Sequence, residues 1–285
     1  MDRALLVAVV VGLVQGIFEW LPISSEGNVA LALSVLGRSP EEAVAFALFL
    51  HVGTALSATV YYRGRIAELV RALPTLWSGE TGQSSDDPTS AQSSGDPTRD
   101  RPTLGFLIVA TAASGVVGIG AYETVIGAVS ETGGGLFVAL VGVLLVGTGL
   151  FQRLSANRAA ETRREPTLVD AVLVGTGQGL AILPGVSRSG TTTGLLLLRG
   201  YDESRSFELS FLLSIPAALG AGVLAYADTG LQATPLAAAV ALGVAAVVGY
   251  ATIDALLRVV ERVAFWGVCV GLGGLAVVGG VGLVV

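Results

Sequence analysis

The chain has 285 residues, of which 52% are hydrophobic and 13% charged, with a mean hydropathy of +0.74. A composition this apolar excludes an ordinary soluble domain and identifies an integral membrane protein. The net charge is −6 and there is no Lys at all, so the basic stripe that a nucleic-acid partner requires is excluded too.

The first apolar run, 4–18, has no basic cluster before it and no Ala-x-Ala site after it, so it reads as mature structure and not as a signal peptide. As a helix it reaches about 22 Å, short of the roughly 30 Å hydrocarbon core. Leu21-Pro22 then interrupts it, because a residue before proline is pushed out of the helical region. A second short apolar helix is predicted over 29–36. Two short halves around a polar break predict a re-entrant hairpin over 4–36, tolerated at membrane depth only where it lines a protein-enclosed cavity. Ser39, Pro40 and Glu42 then supply an N-cap, a first helical residue and a capping-box acid for a long helix reaching Tyr62.

Arg63, Arg65 and Arg71 follow, and then a Ser-, Gly-, Asp- and Pro-rich stretch, 79–101, expected to be a disordered loop. Its acids Glu80, Asp86, Asp87, Asp96 and Asp100 suit solubility at high salt and predict a halophilic setting. Two spans, 104–122 and 135–151, lead to a second Arg-rich loop with Arg153, Arg158, Arg163 and Arg164. A helix over 168–182 breaks at Leu183-Pro184-Gly185 and resumes over 191–198, predicting a second hairpin across 168–199. Asp202 is the expected N-cap of the next span, 207–227, and the spans 236–253 and 263–285 complete the chain. Cys269 is the only cysteine, so no internal disulfide forms and core packing is its expected role. The expected fold is all-α and polytopic, one integral membrane domain over 1–285, with about six full transmembrane helices.

One sequence occurs twice. The landmarks Gln15-Gly16, Leu21-Pro22, Ser24 and Gly27 return as Gln178-Gly179, Leu183-Pro184, Ser187 and Gly190, within one residue of a constant offset of 163. The offset also pairs Gly37 with Gly200, Ser39 with Asp202, Leu50 with Leu213 and Ala55 with Ala218, so a duplication is read over about 4–151 and 167–285. If the Arg-rich loops are cytoplasmic, the two hairpins enter from opposite leaflets and the halves are inverted. In such folds the broken elements meet near the midplane and build the site between them.

That meeting point pools Gln15, Glu19, Ser24, Ser25, Glu26 and Asn28 with Gln178, Ser187, Arg188, Ser189, Thr191 and Thr192. A carboxylate or guanidinium at mid-span costs about 2.5 to 3.5 kcal/mol, and a pair of simple proline kinks would need none of Glu19, Glu26 and Arg188. Arg188 offers a planar fork for phosphate oxygens, and the short helix after it points amides and its positive dipole end the same way. An anion site of this kind inside a membrane implies a lipid phosphate or diphosphate. Ser25 is the candidate nucleophile, with water as its rival. Glu19 is a base or, with Glu26, an oxygen ligand for Mg²⁺ or Ca²⁺. His51, the only histidine, is either a packed core residue or, with Glu26, a carrier of protons in the cavity.

The motif Gln-Gly-x-x-Glu-x-Leu-Pro-x-Ser-Ser-x-Gly at 15–27, the motif Pro-Gly-x-Ser-Arg-Ser-Gly-x-Thr at 184–192, and Leu50-His51-Val52-Gly53-Thr54 resemble the undecaprenyl-diphosphate phosphatase family, the bacitracin-resistance proteins. The resemblance implies removal of the terminal phosphate from a polyprenyl diphosphate, recycling a lipid carrier for the cell envelope. It also implies an extracytoplasmic site, stimulation by a divalent cation, and matching roles for Glu19, Ser25, Ser187, Arg188, Ser189 and Thr192. Three positions depart from the family pattern: Gln15 where Glu is usual, Glu26 where Thr is usual, and Asn28 where His is usual. Expected partners are the lipid substrate and the bilayer, with a second copy of the chain as a candidate. Inverted repeats with broken helices are also transporter architecture, so movement of a polyprenyl phosphate without hydrolysis stands as the alternative.

Overall fold

The computed structural model describes residues 3–76, 100–130, 133–156, 163, 165–230, 233–260 and 262–284. They form eleven α-helices: α1 (Arg3–Phe18), α2 (Ser25–Val35), α3 (Pro40–Tyr61), α4 (Arg63–Ala72), α5 (Arg101–Ser130), α6 (Gly134–Ala156), α7 (Leu168–Leu180), α8 (Arg188–Leu198), α9 (Glu203–Thr229), α10 (Pro235–Val260) and α11 (Phe265–Gly282). Six of these, α3, α5, α6, α9, α10 and α11, are long and apolar enough to cross a membrane. The protein is a multi-pass, all-helical membrane protein. Leu140, Val143, Leu275 and Val278 are exposed on α6 and α11, as lipid-facing side chains are. The predicted loop over 79–101 lies outside the described residues except for Asp100 and Arg101.

Local chemistry sets the helix starts. The Ser39 hydroxyl accepts the Glu42 amide at 3.2 Å, and Asp202 accepts the Arg205 amide at 2.8 Å, as their N-cap positions require. The two short helices begin earlier than the sequence suggests. Ser24 and Ser187 are their N-caps, accepting the amides of Gly27 and Gly190 at 3.2 Å each, so Ser25, Glu26, Arg188 and Ser189 stand in first helical turns and not in loops. Helix α4 was not legible as a helix. Its Arg65 ties it down through Glu208 at 2.9 Å and Asp100 at 2.7 Å, and pairs within the helix with Glu68 at 2.9 Å. At the base of the second hairpin, Thr167 caps α7, and Asp170 pairs with Arg199 and accepts the Tyr201 hydroxyl at 2.7 Å. Burial and the Asp170 carboxylate push the Tyr201 phenol up, which keeps it a donor.

Packing exchanges partners between the two halves. Helix α1 lies on α10 and α7 lies on α5, while α3 packs on α9 and α6 on α11. Gly12 and Gly16 meet Ala241 and Ala245, and Gly175 and Gly179 meet Ala110 and Ser114; a Cβ there would press within about 3 Å of the facing backbone. Both of these pairs run parallel. In the α6–α11 pair, Gly135 meets Gly280, Gly142 meets Gly273 and Gly149 meets Trp266, so those helices run antiparallel. The α3–α9 pair is antiparallel as well, since Tyr62 stacks on Phe211 at one end and Val52 lies against Gly222 toward the other.

Candidate active site

Glu19 follows the last turn of α1, one turn beyond Gln15, whose Nε2 donates to Glu19 Oε2 at 2.8 Å. After Leu21-Pro22 the backbone turns back through Ser24, which takes the left-handed conformation (φ 58°) that few non-glycine residues adopt. This turn places Ser25 so that its hydroxyl donates to the same Glu19 Oε2 at 2.8 Å. The second tip turns at Gly185 (φ 101°), and the first residue of α8, Arg188, reaches across to pair with Glu19 Oε1.

The tips are also joined by a backbone amide of one on a hydroxyl of the other. The Gly185 amide donates to Ser24 Oγ at 3.2 Å. Helix α6 buttresses both: Gln152 Nε2 donates to the Pro22 carbonyl at 2.6 Å, and Thr148 Oγ1 donates to the Gly185 carbonyl at 3.1 Å while accepting the Ser187 amide at 3.3 Å. Gln152 and Thr148 were not anticipated as contributors. Two polar residues one turn apart near the end of an apolar span were the signal available for them.

His51 comes from α3. Its Nδ1 lies 2.9 Å from the Ala47 carbonyl, which can only accept, so the proton sits on Nδ1. Nε2 is thereby turned to Glu19 Oε2, 3.4 Å away. One carboxylate therefore gathers a hydroxyl, an amide, an imidazole and a guanidinium, and the side chain carrying it is 3% exposed. Both Glu19 oxygens are engaged. Four polar atoms around it are buried without partners: Gln15 Oε1, Glu26 Oε1, Arg188 Nη1 and Gln178 Oε1.

These residues form one end of a cavity of about 500 Å³. Glu19, Ser24, Ser25, Glu26, His51, Gln178, Ser187, Arg188 and Ser189 line it. Four further expected site residues are not among its lining. Gln15 acts through Glu19. Asn28 gives its amide hydrogens to the carbonyls of Ile23 and Ser24 at 2.7 and 2.9 Å. The Thr191 methyl lies beside Gly177, and the Thr192 hydroxyl bonds the Arg188 carbonyl and the Ser210 hydroxyl at 2.9 and 2.6 Å. Asn28 and Thr192 thus hold the two tips in shape.

The arrangement suits attack on a phosphoryl group: a hydroxyl on a carboxylate, that carboxylate oriented by three further groups, and a guanidinium with one free donor edge at the start of a helix. Among the described residues no group of three or more His, Cys, Asp or Glu side chains could hold a metal ion by themselves. The family described as Bacitracin resistance protein BacA matches residues 8–275. A protein of Haloarcula marismortui named undecaprenyl-diphosphatase is 53% identical over 278 residues, 97% of each chain. Proteins of the same name from Methanococcoides burtonii and Methanopyrus kandleri are 36% and 40% identical, over 95% and 94% of this chain and 96% and 93% of theirs.

Proposed function

The chain belongs to the BacA bacitracin-resistance family, and on that premise we propose that it is an undecaprenyl-diphosphatase-type hydrolase, which removes the terminal phosphate of a polyprenyl diphosphate and returns the monophosphate carrier. The observation that carries this reading is Glu19, held between Ser25 of its own tip and Arg188 of the other. Ser25 Oγ attacks the terminal phosphorus as its proton passes to Glu19. The bond from that phosphorus to the bridging oxygen breaks, and the polyprenyl monophosphate leaves with the electron pair. Water then cleaves the phosphoserine. In the variant with water as direct nucleophile, Glu19 takes the water's proton and Ser25 binds a phosphoryl oxygen. In both, His51 Nε2 stands where it can take the proton on from Glu19, and Arg188 Nη1 with the α8 amides meets the phosphoryl oxygens.

A divalent cation, Mg²⁺ or Ca²⁺, fits as a partner shared with the substrate. Glu19 has no oxygen to spare, but Glu26 has one buried carboxylate oxygen without a partner, and such ions take their remaining ligands from phosphate and water. Bound there, the ion would neutralise charge on the phosphoryl oxygens.

The exchange of helix partners and the antiparallel α3–α9 and α6–α11 pairs support an inverted repeat, with the hairpins α1–α2 and α7–α8 entering from opposite leaflets. From the tips the cavity extends toward the C-terminal halves of α5 and α9, away from the arginines of α4 and from Arg153 in the last turn of α6. This supports an opening on the extracytoplasmic side. Purified protein is expected to release phosphate from undecaprenyl diphosphate, and Arg188→Ala is expected to lower kcat/KM by about 10³. Binding of the lipid without any release would favour the transporter reading.

A further inference from the structure

The cavity that holds the Glu19–Arg188 pair continues between α5 and α9. These helices are joined at both ends of their shared length. At one end Arg205 Nη2 donates to Thr103 Oγ1 at 2.6 Å, and at the other the Tyr122 hydroxyl donates to Asp228 at 3.0 Å. Between the ties, residues within 111–119 of α5 and 216–227 of α9 line the cavity, a window about 12 to 16 Å long at the helical rise. Ile119 and Val223, which line it, are 52% and 66% exposed, so the window opens sideways, toward the bilayer.

The corresponding seam in the other half, between α3 and α10, is shut. The offset of 163 relates α3 to α9. The glycine contacts of α1 and α7 relate α5 to α10 by 131, since Gly175 meets Ala110 as Gly12 meets Ala241, and Gly179 meets Gly118 as Gly16 meets Gly249. In the shut seam the Ser57 hydroxyl donates to the Ala246 carbonyl at 2.6 Å, and Gly53 lies against Leu242. On these registers Ser57 and Ala246 correspond to Gly220 and Gly115, and Gly53 to Pro216. A Cβ added at Gly115 or Gly220 would meet nothing within 4 Å. Pro216 cannot give α9 the usual bond to the Leu212 carbonyl. The Ser57 hydroxyl that zips one seam has only a glycine at its place in the other.

We propose that the α5–α9 window is the lateral portal for the isoprenoid tail of the substrate, with Gly115 and Gly220 forming the floor over which the tail leaves the site for the bilayer. This rests on the diphosphatase reading and adds the path of the lipid. Each CH₂ of a tail gains from burial in hydrocarbon, so a long prenyl chain stays in the membrane and a headgroup site at depth needs an opening on its side.

The test replaces both glycines, Gly115→Leu and Gly220→Leu, which fills the window while favouring the helices. The control is Gly243→Leu, which also has open space at its Cβ and does not line the cavity. The double variant is expected to lose about tenfold or more in kcat/KM on undecaprenyl diphosphate yet stay within about threefold of wild type on isopentenyl diphosphate, whose tail ends before the window. No loss on the long substrate, or equal loss on both, overturns the portal. If the wild type releases phosphate from neither, the diphosphatase reading fails by itself. The portal is then read from a polyprenyl monophosphate carrying a diazirine along its tail, whose labels are expected on α5 and α9. Labels spread evenly around the helices would overturn it.

Discussion

In the first tip the left-handed turn falls on Ser24, in the second on Gly185, and the chemistry of the two tips diverges as much as their scaffolds agree. Each keeps a Gln in its leading helix, a Ser as N-cap and a Gly whose amide that Ser accepts. At the repeat offset, however, Glu19 faces Ile182, Ser25 faces Arg188 and Glu26 faces Ser189. One tip holds the acid and the hydroxyl, the other the cation. A tip carrying both would neutralise itself alone; split between repeats, the constellation forms only when the tips meet. The first tip also bears the conformational cost, since a non-glycine residue in the left-handed region is strained by about 1–3 kcal/mol. Ser24 offsets it by accepting two amides on its hydroxyl, one from each tip, so the strained residue also links the halves.

The most damaging way to break this division is to remove its hub. Glu19→Gln is expected to lower kcat by about 10³ to 10⁴, because it takes away the proton acceptor and leaves a buried guanidinium without its counter-ion. If the tips act as one unit, the double variant Glu19→Gln with Arg188→Ala will be within about threefold of the slower single variant, as residues that act together are non-additive. Rate losses that multiply would mean two independent contributions and would undo the comparison.

His51 sharpens the contrast from a third direction. It sits on α3, outside both tips, and its counterpart Ser214 on α9 donates to the Phe211 carbonyl at 2.6 Å and is not among the cavity's lining. The asymmetry of the tips therefore extends to the helices behind them. His51→Gln keeps a hydrogen-bonding side chain of similar reach and is expected to lower kcat by about 10² with KM unchanged. A rise in KM at constant kcat would assign His51 to substrate binding or packing.

The broken helices, the six spans and the pooling of Glu19, Ser25 and Arg188 were legible because hydropathy, proline and charge are local signals that the membrane makes severe. What was not legible depended on which way a side chain leaves a short turn. Thr192 and Asn28 sit within four residues of Arg188 and Ser25, yet their hydrogen bonds run to Ser210, to the Arg188 carbonyl and to the backbone at Ile23 and Ser24. Starting each helix at 191 or 29 hides this, whereas the N-caps at Ser187 and Ser24 place those side chains at fixed angles on the first turn. Gln152 and Thr148 were missed for another reason. Their partners, Pro22 and Gly185, are more than thirty residues away in sequence and are backbone atoms, which leave no pattern in side-chain identity.

Asn28 makes the smallest and most specific test. It stands where relatives are expected to carry a histidine, and in a site read from sequence it would touch substrate; in the fold it ties the start of α2 to the carbonyls of Ile23 and Ser24. Asn28→Ala is expected to leave kcat and KM within about twofold and to lower stability by about 1 to 2 kcal/mol, measured by denaturation in detergent, for two lost hydrogen bonds. The strain at Ser24 makes the direction firm: without the side-chain amide, the Ile23 carbonyl loses its partner and the Ser24 carbonyl keeps only the residue-28 backbone amide, at 3.1 Å, so the turn loses part of what offsets its conformation. A large fall in turnover with stability unchanged would instead return Asn28 to the chemistry and make the first tip a binder of substrate along its whole first turn.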